Sequence, residues 1–210
     1  MNTTQAASSS LVAAVEDTWA AIQHNHADVP PVVVTLASGA LGGNALKLGH
    51  FAADAWVHES ETVHELFVGG EGLAGGGAEV LGTLLHEAAH GLAHSRAIRD
   101  TSRQGRYHNT KFKTVGEELG LTLAYDRKIG WSLTTVSDET VAHYSAQVVQ
   151  LDQAIVAYRR QFSPATRSGG SNNGLAAECG CGRKIRASRS SLDVGPILCG
   201  VCKTPFTCAD

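Results

Sequence analysis

Residues 78 to 94, AEVLGTLLHEAAHGLAH, constrain this chain more than any other stretch. Leu81, Leu84, Leu85, Ala88 and Leu92 fall at offsets of 0, 3, 4, 7 and 11, which is one face of an α-helix packed on a core. His86-Glu87-Ala88-Ala89-His90 is an H-E-x-x-H arrangement on that helix. Chance gives this pattern roughly 0.02 times for such a composition, so coincidence is a poor account of it. At 100° per residue the two histidines differ by about 40° around the helix and about 6 Å along it, so both imidazoles can reach one ion. Both lie opposite the apolar stripe, so they do not face the core.

Glu87 between two such histidines is what a catalytic zinc site requires, and tetrahedral zinc then needs a third protein ligand. His94 does not qualify: about 12 Å of helical rise separates it from His86, so it reads as a residue beside the site or on the surface. His108 follows a loop long enough to reverse the chain and directly precedes a short helix marked by Phe112, Val115 and Leu119. It is the preferred third ligand; Glu117 or Glu118 would serve instead if a downstream helix supplied a carboxylate. A metzincin arrangement is excluded, because position 96 is Arg and Met1 is the single methionine.

The rest of the chain reads as α+β. Leu11, Val15, Trp19 and Ile22 mark a helix after Ser8-Ser9-Ser10, and Pro30-Pro31 ends it. Val32 to Leu36, Lys47 to Trp56 and His64 to Val68 read as three successive strands, suggesting an antiparallel sheet, and Leu121 to Tyr125 as a further strand. From 137 to 162 the positions Val141, Tyr144, Val148, Leu151, Ile155, Tyr158 and Phe162 predict one long amphipathic helix, which packs on its own domain in preference to forming a coiled coil. The segment 163–174 reads as a flexible linker, and 175–210 as a small second module.

Charge supports that division. Residues 1–162 hold 11 Lys/Arg against 17 Asp/Glu, whereas 163–210 hold 6 against 3. All five cysteines also fall in the tail. The opening MNTTQAASSSLVAAVEDTW carries no Lys or Arg, so it does not resemble a secretory signal, and a cytoplasmic location is expected. In that compartment metal thiolates are favoured over disulfides. No apolar run approaches the roughly 18 to 20 residues of a membrane-spanning helix, so no membrane partner is expected.

Cys179-Gly180-Cys181 and Cys199-Gly200-Val201-Cys202, with 17 residues between the pairs, suggest a zinc ribbon. The C-x-C half makes a tighter knuckle than usual, so Cys208 could replace one member, Cys179 first. Arg183, Lys184, Arg186 and Arg189 lie between the pairs and could touch phosphates, though Phe206 is the lone aromatic there. Gly70-Glu71-Gly72-Leu73-Ala74-Gly75 fits the dinucleotide fingerprint G-x-G-x-x-G, but 23 glycines give that pattern roughly 0.3 times by chance. No acidic residue ending a second parallel strand follows it, so no organic cofactor is expected, and the stretch reads as a flexible loop above the metal cleft.

LLHEAAHGLAH, followed by RYHNTKFKTVGEELGL, resembles the SprT-like metallopeptidase family, in which H-E-x-x-H and a downstream H-[GN]-x-x-F supply three zinc ligands. The second motif here is His108 to Phe112, with Asn109 where many members have Gly. The resemblance covers roughly residues 11 to 135, and a C-terminal ribbon is also similar to the order of domains in many relatives. It implies a zincin-like fold, one catalytic zinc on His86, His90 and His108, and one structural zinc on Cys179, Cys181, Cys199 and Cys202. It also implies a protein or peptide substrate, with DNA as a partner of the basic tail, since the family includes proteases of DNA-crosslinked proteins. Glu87 would then be the general base, taking a proton from water made acidic by zinc and passing it to the leaving amine. By the same resemblance, His64 to Val68 would be the sheet edge that pairs with an extended substrate. Tyr107, Arg103 and Arg106 lie near in sequence, but no oxyanion donor is evident. The alternative is a non-catalytic zinc-binding adaptor or DNA-binding protein, in which both zincs are structural.

Overall fold

The stripe of Leu11, Val15, Trp19 and Ile22 is the buried side of α1 (Ala7–Asn25), with Ser8 to Ser10 inside its first turns. The computed structural model describes residues 7–40, 46–161 and 174–208. Trp19 of α1 donates its indole N–H to the Pro30 carbonyl at 2.9 Å, tying the helix to the chain that follows it. Three strands follow: β1 (Val32–Ala37), β2 (Gly49–His58) and β3 (Glu61–Gly69).

Their order is β1-β3-β2, with β1 parallel to β3 and β2 antiparallel to it. The sheet is therefore mixed, not antiparallel as chain order suggests. The His64–Val68 segment lies in the central strand, not at an edge. Leu66 and Val68 are almost fully buried there, whereas β2 is exposed from Ala53 to His58. A strand carrying the sheet's most buried side chains belongs in the middle, and the half-solvated strand takes the edge.

A 3₁₀ turn over Gly72–Gly75 leads into α2 (Gly76–Ser95). The glycine-rich stretch is not a loose loop over the cleft. Glu71 anchors it: its carboxylate, 3% exposed, accepts the Gly39 N–H at 2.8 Å, the Ser38 hydroxyl at 3.1 Å and the Arg159 Nε–H at 3.1 Å. The Gly39 N–H, before all else, holds this carboxyl below the usual glutamate range. The predicted stripe on α2 is wholly buried, and the helix packs against α1 and β2 and against the elements that follow.

Next come β4 (Thr101–Ser102), β5 (Tyr107–His108), α3 (Thr110–Glu118), β6 (Leu121–Asp126) and β7 (Gly130–Val136). They include a second sheet of order β4-β5-β7-β6. The stretch expected to be one helix over 137–162 is two, α4 (Asp138–His143) and α5 (Ser145–Ala154), broken at Tyr144. Tertiary bonds override the periodicity. Buried Tyr144 receives an N–H from Asn25 at 3.2 Å, and Arg159 ties its own N–H to the Gly70 carbonyl while its side chain meets Glu71. A helix continued past Ala154 could not deliver Arg159 there. Asp152 of α5 accepts the Gly77 N–H at 2.6 Å, placing a carboxylate at the N-terminus of α2.

The chain divides into two compact units, Met1–Ser163 and Pro164–Asp210. The proposed linker 163–174 lies, Gly174 apart, outside the described residues. The second unit contains β8 (Leu175–Glu178), β9 (Lys184–Ala187), α6 (Arg189–Val194) and β10 (Thr207–Cys208), with sheet order β10-β8-β9. The architecture is α+β, and no described helix is long and apolar enough to cross a membrane.

Candidate functional site

His86 and His90 project from α2 toward β5, where His108 meets them. Gly130 of β7 (φ 73°) permits this approach, because a Cβ there would lie 2.0 Å from the His108 carbonyl oxygen. Immediately after His108, Asn109 caps α3, its Oδ1 accepting the N–H groups of Lys111 at 2.8 Å and Phe112 at 3.3 Å. That cap fixes Phe112, fully buried, whose ring lies 4.8, 4.7 and 4.4 Å from those of His86, His90 and His108.

One nitrogen from each of these histidines lies within 4.8 Å of the others, and the Nε2 atoms of His90 and His108 are 3.0 Å apart. The outer nitrogens of His90 and His86 are held too, whereas the buried Nδ1 of His108 has no hydrogen-bond partner among the described residues. His90 Nδ1 meets Asp100 Oδ2 at 2.5 Å, and His86 Nδ1 meets the Thr134 hydroxyl at 3.1 Å. A carboxylate on Nδ1 keeps that proton in place and leaves Nε2 as a lone pair facing inward. Burial pushes the His86 imidazole well below its ordinary pKa and holds His108 down to about 4, so both rings are neutral near pH 7.

Converging imidazoles suit a cation. Zn–N bonds of about 2.0 to 2.1 Å set tetrahedral ligand atoms about 3.3 Å apart, near the 3.0 Å between the Nε2 atoms of His90 and His108. The three histidines could hold a metal ion.

Glu87 is 6% exposed, and its Oε2 accepts the Phe51 N–H of β2 at 2.8 Å. Burial raises its carboxyl pKa despite that bond. Helix and strand touch closely here, since a Cβ on Gly49 would fall 2.7 Å from Glu87 Oε1. A cleft of about 1370 Å³ runs over these groups, lined by Gly49 to Phe51 on one side and by Leu133 to Val136 on the other.

The remaining candidates fall elsewhere. Glu118 forms a two-pronged ion pair with Arg96 at 2.7 and 2.8 Å, and Glu117 pairs with Lys113 at 3.3 Å, so neither joins the histidines. Tyr107 gives its hydroxyl to a 3.1 Å bond with Tyr125, under the Arg103 guanidinium at 4.6 Å from its ring, outside the cleft wall. Arg106 does line the cleft. His94 stands apart from the three ligands.

In the second unit the Sγ atoms of Cys179, Cys181, Cys199 and Cys202 lie within 4.8 Å of one another, and this set could hold a metal ion as well. Cys179–Cys181 and Cys181–Cys199 separations are 3.4 and 3.8 Å, against about 3.8 Å for thiolates around zinc with bonds of 2.3 Å. The Thr204 hydroxyl draws the Cys202 thiol down to about 6, toward thiolate. Cys208, exposed on β10, is not in the set and does not displace Cys179.

Sequence reasoning missed Asp100, Thr134 and the role of Phe51. Asp100 carried a signal, as the one acid in the otherwise basic stretch from Arg96 to Lys113. The other two act through a strand register that no local pattern encodes. Compared with known proteins, the chain matches no family model, no curated protein and no solved structure.

Proposed function

We propose that the chain is a zinc metallopeptidase of the SprT-like kind, with a zincin-like catalytic unit and a C-terminal zinc ribbon. One observation carries the reading: three histidine nitrogens converge beside a buried glutamate whose position is fixed by a strand edge. His86, His90 and His108 would hold the catalytic zinc. When bound, zinc supplies a Lewis acid for the scissile carbonyl and brings the pKa of water to about 7.

Glu87 accepts the proton of the attacking water and delivers it to the leaving amine. Its Oε2 is occupied by the Phe51 N–H, which leaves Oε1 to carry that proton. A carboxyl pKa raised by burial suits a group that must hold a proton briefly and then release it. Asp100 and Thr134 keep the imidazoles aimed inward. An extended substrate would lie along the free edge of β2, the strand that takes the place expected for His64–Val68.

Cys179, Cys181, Cys199 and Cys202 would hold a structural zinc. Lys184 and Arg186 of β9, with Arg183 and Arg189 at its two ends, would bring the unit to phosphates and so to DNA-associated substrates. The rival is a zinc-binding adaptor without catalysis, and the Glu87–Phe51 bond favours it to the extent that it gives Glu87 a structural task.

The test is casein cleavage by the purified chain, with and without single-stranded DNA. Cleavage should stop on chelation with phenanthroline and return on adding zinc. Cleavage indifferent to the chelator, or no cleavage by zinc-loaded protein in either condition, would contradict the proposal.

A further inference from the structure

We infer that Asp54, His64 and His94 form a second divalent-metal site in the first unit, separate from the His86, His90 and His108 cluster, which clamps the free edge of β2 to the last turn of α2. One ligand atom from each of the three lies within 4.8 Å of the others. They come from three elements: Asp54 from β2, His64 from β3 and His94 from the end of α2.

The chain builds this meeting point. The register of β2 against β3 shifts between Ala52 and Trp56, and Asp54 within that bulge adopts φ 54°. A bulge re-aims a side chain, and here it brings the Asp54 carboxylate to His64, with Oδ1 3.7 Å from Nδ1. The Thr62 hydroxyl donates to the same Oδ1 at 2.8 Å, which orients the carboxylate and leaves its second oxygen uncommitted. The His64 and His94 rings meet edge to face at 5.1 Å, and the Phe51 ring backs them at 5.3 and 6.1 Å. Asp54 is 54% exposed, so an ion can enter from solvent.

Two imidazoles and one carboxylate, with coordination positions left for water, suit zinc, cobalt or nickel better than calcium or magnesium. His94 lies about 12 Å of rise from His86, and neither it nor Asp54 or His64 belongs to the group that His86, His90 and His108 form, so the two sites are separate. The Asp54 N–H now donates to His64 Nδ1 at 3.0 Å. An ion at Nδ1 replaces that bond, and the exposed amide turns to water. This exchange makes the site weaker than the histidine triad, and its occupancy follows the free metal concentration. Asp54 is three residues from Phe51, whose N–H holds Glu87, so an ion here stiffens the strand that positions Glu87.

The inference does not rest on peptidase activity. Its test is zinc uptake by the full chain in equilibrium dialysis, with free zinc buffered from nanomolar to high micromolar. Wild type should take up one weak equivalent that His64→Gln and His94→Ala each weaken by on the order of tenfold or more. Exposed His24→Ala should leave it unchanged. Asp54→Asn, an exposed change that leaves the fold untouched, should also weaken it, and unaltered far-UV circular dichroism shows that each variant is folded. No weak equivalent in wild type, or one that survives in the His64→Gln/His94→Ala double variant, overturns the inference. The weak equivalent fills at higher free zinc than the histidine triad and the cysteine set, so it is read independently of those tighter sites.

Discussion

Glu87→Gln should lose two to four orders of magnitude in casein cleavage while keeping its zinc and its melting temperature. The geometry makes this substitution unusually clean. A glutamine has the same shape, and its amide oxygen can accept the Phe51 N–H that Oε2 now accepts at 2.8 Å. The buried position therefore stays filled and hydrogen-bonded, and a neutral amide is cheaper to bury than a carboxylate. Only the ability to take and return a proton is removed. Steady-state cleavage, elemental zinc analysis and thermal melting on the same preparation check the prediction. Full activity in Glu87→Gln would assign the glutamate its structural bond alone and favour the adaptor.

The second large effect concerns the cysteine unit. Among its described residues the buried hydrophobic side chains are Ala177, Cys179 and Cys199, two of which belong to the metal set. So small a core cannot offset the chain entropy of some 35 residues, whereas metal binding contributes on the order of 10 kcal/mol or more in finger-like peptides. Cys199→Ser/Cys202→Ser in the full chain should therefore unfold residues 174–208. Their amide resonances should collapse to random-coil positions and the segment should become protease-sensitive, while the first unit keeps its dispersed resonances and its casein cleavage. Dispersed resonances from 174–208 in the double variant would show that the unit folds without metal.

How far the sequence anticipates the molecule depends on the range of the interaction concerned. Local periodicity suffices for α1, α2 and α3, because the stripes of Leu11 to Ile22 and Leu81 to Leu92 and the trio Phe112, Val115 and Leu119 are the buried faces themselves. Spacing likewise brings His86 and His90 together, since that distance is a property of one helix. The H-N-x-x-F stretch adds His108 for a local reason: Asn109 caps the helix that starts behind it.

Long-range pairing is another matter. The β1-β3-β2 order follows from which strand carries the buried Leu66 and Val68, and the consecutive strands themselves do not encode a parallel partner. The helix expected over 137–162 has flawless periodicity, yet Asn25 at Tyr144 and Gly70 with Glu71 at Arg159 break and end it from far along the chain. Strand β7 escaped because GWSLTTV alternates weakly, and with it went Thr134, the partner of His86. His94 was legible as unfit for the triad, but its meeting with His64 and Asp54 depends on a bulge that no motif announces.

The central claim is that three histidines hold one zinc and four cysteines another. Elemental analysis after exhaustive dialysis, on wild type and on His108→Ala, tests it most directly. The account predicts two retained zincs in wild type and one in His108→Ala, with casein cleavage lost. Two zincs retained by His108→Ala would show that the convergence of His108 with His86 and His90 is not a ligand set, and the proposed mechanism would fall with it.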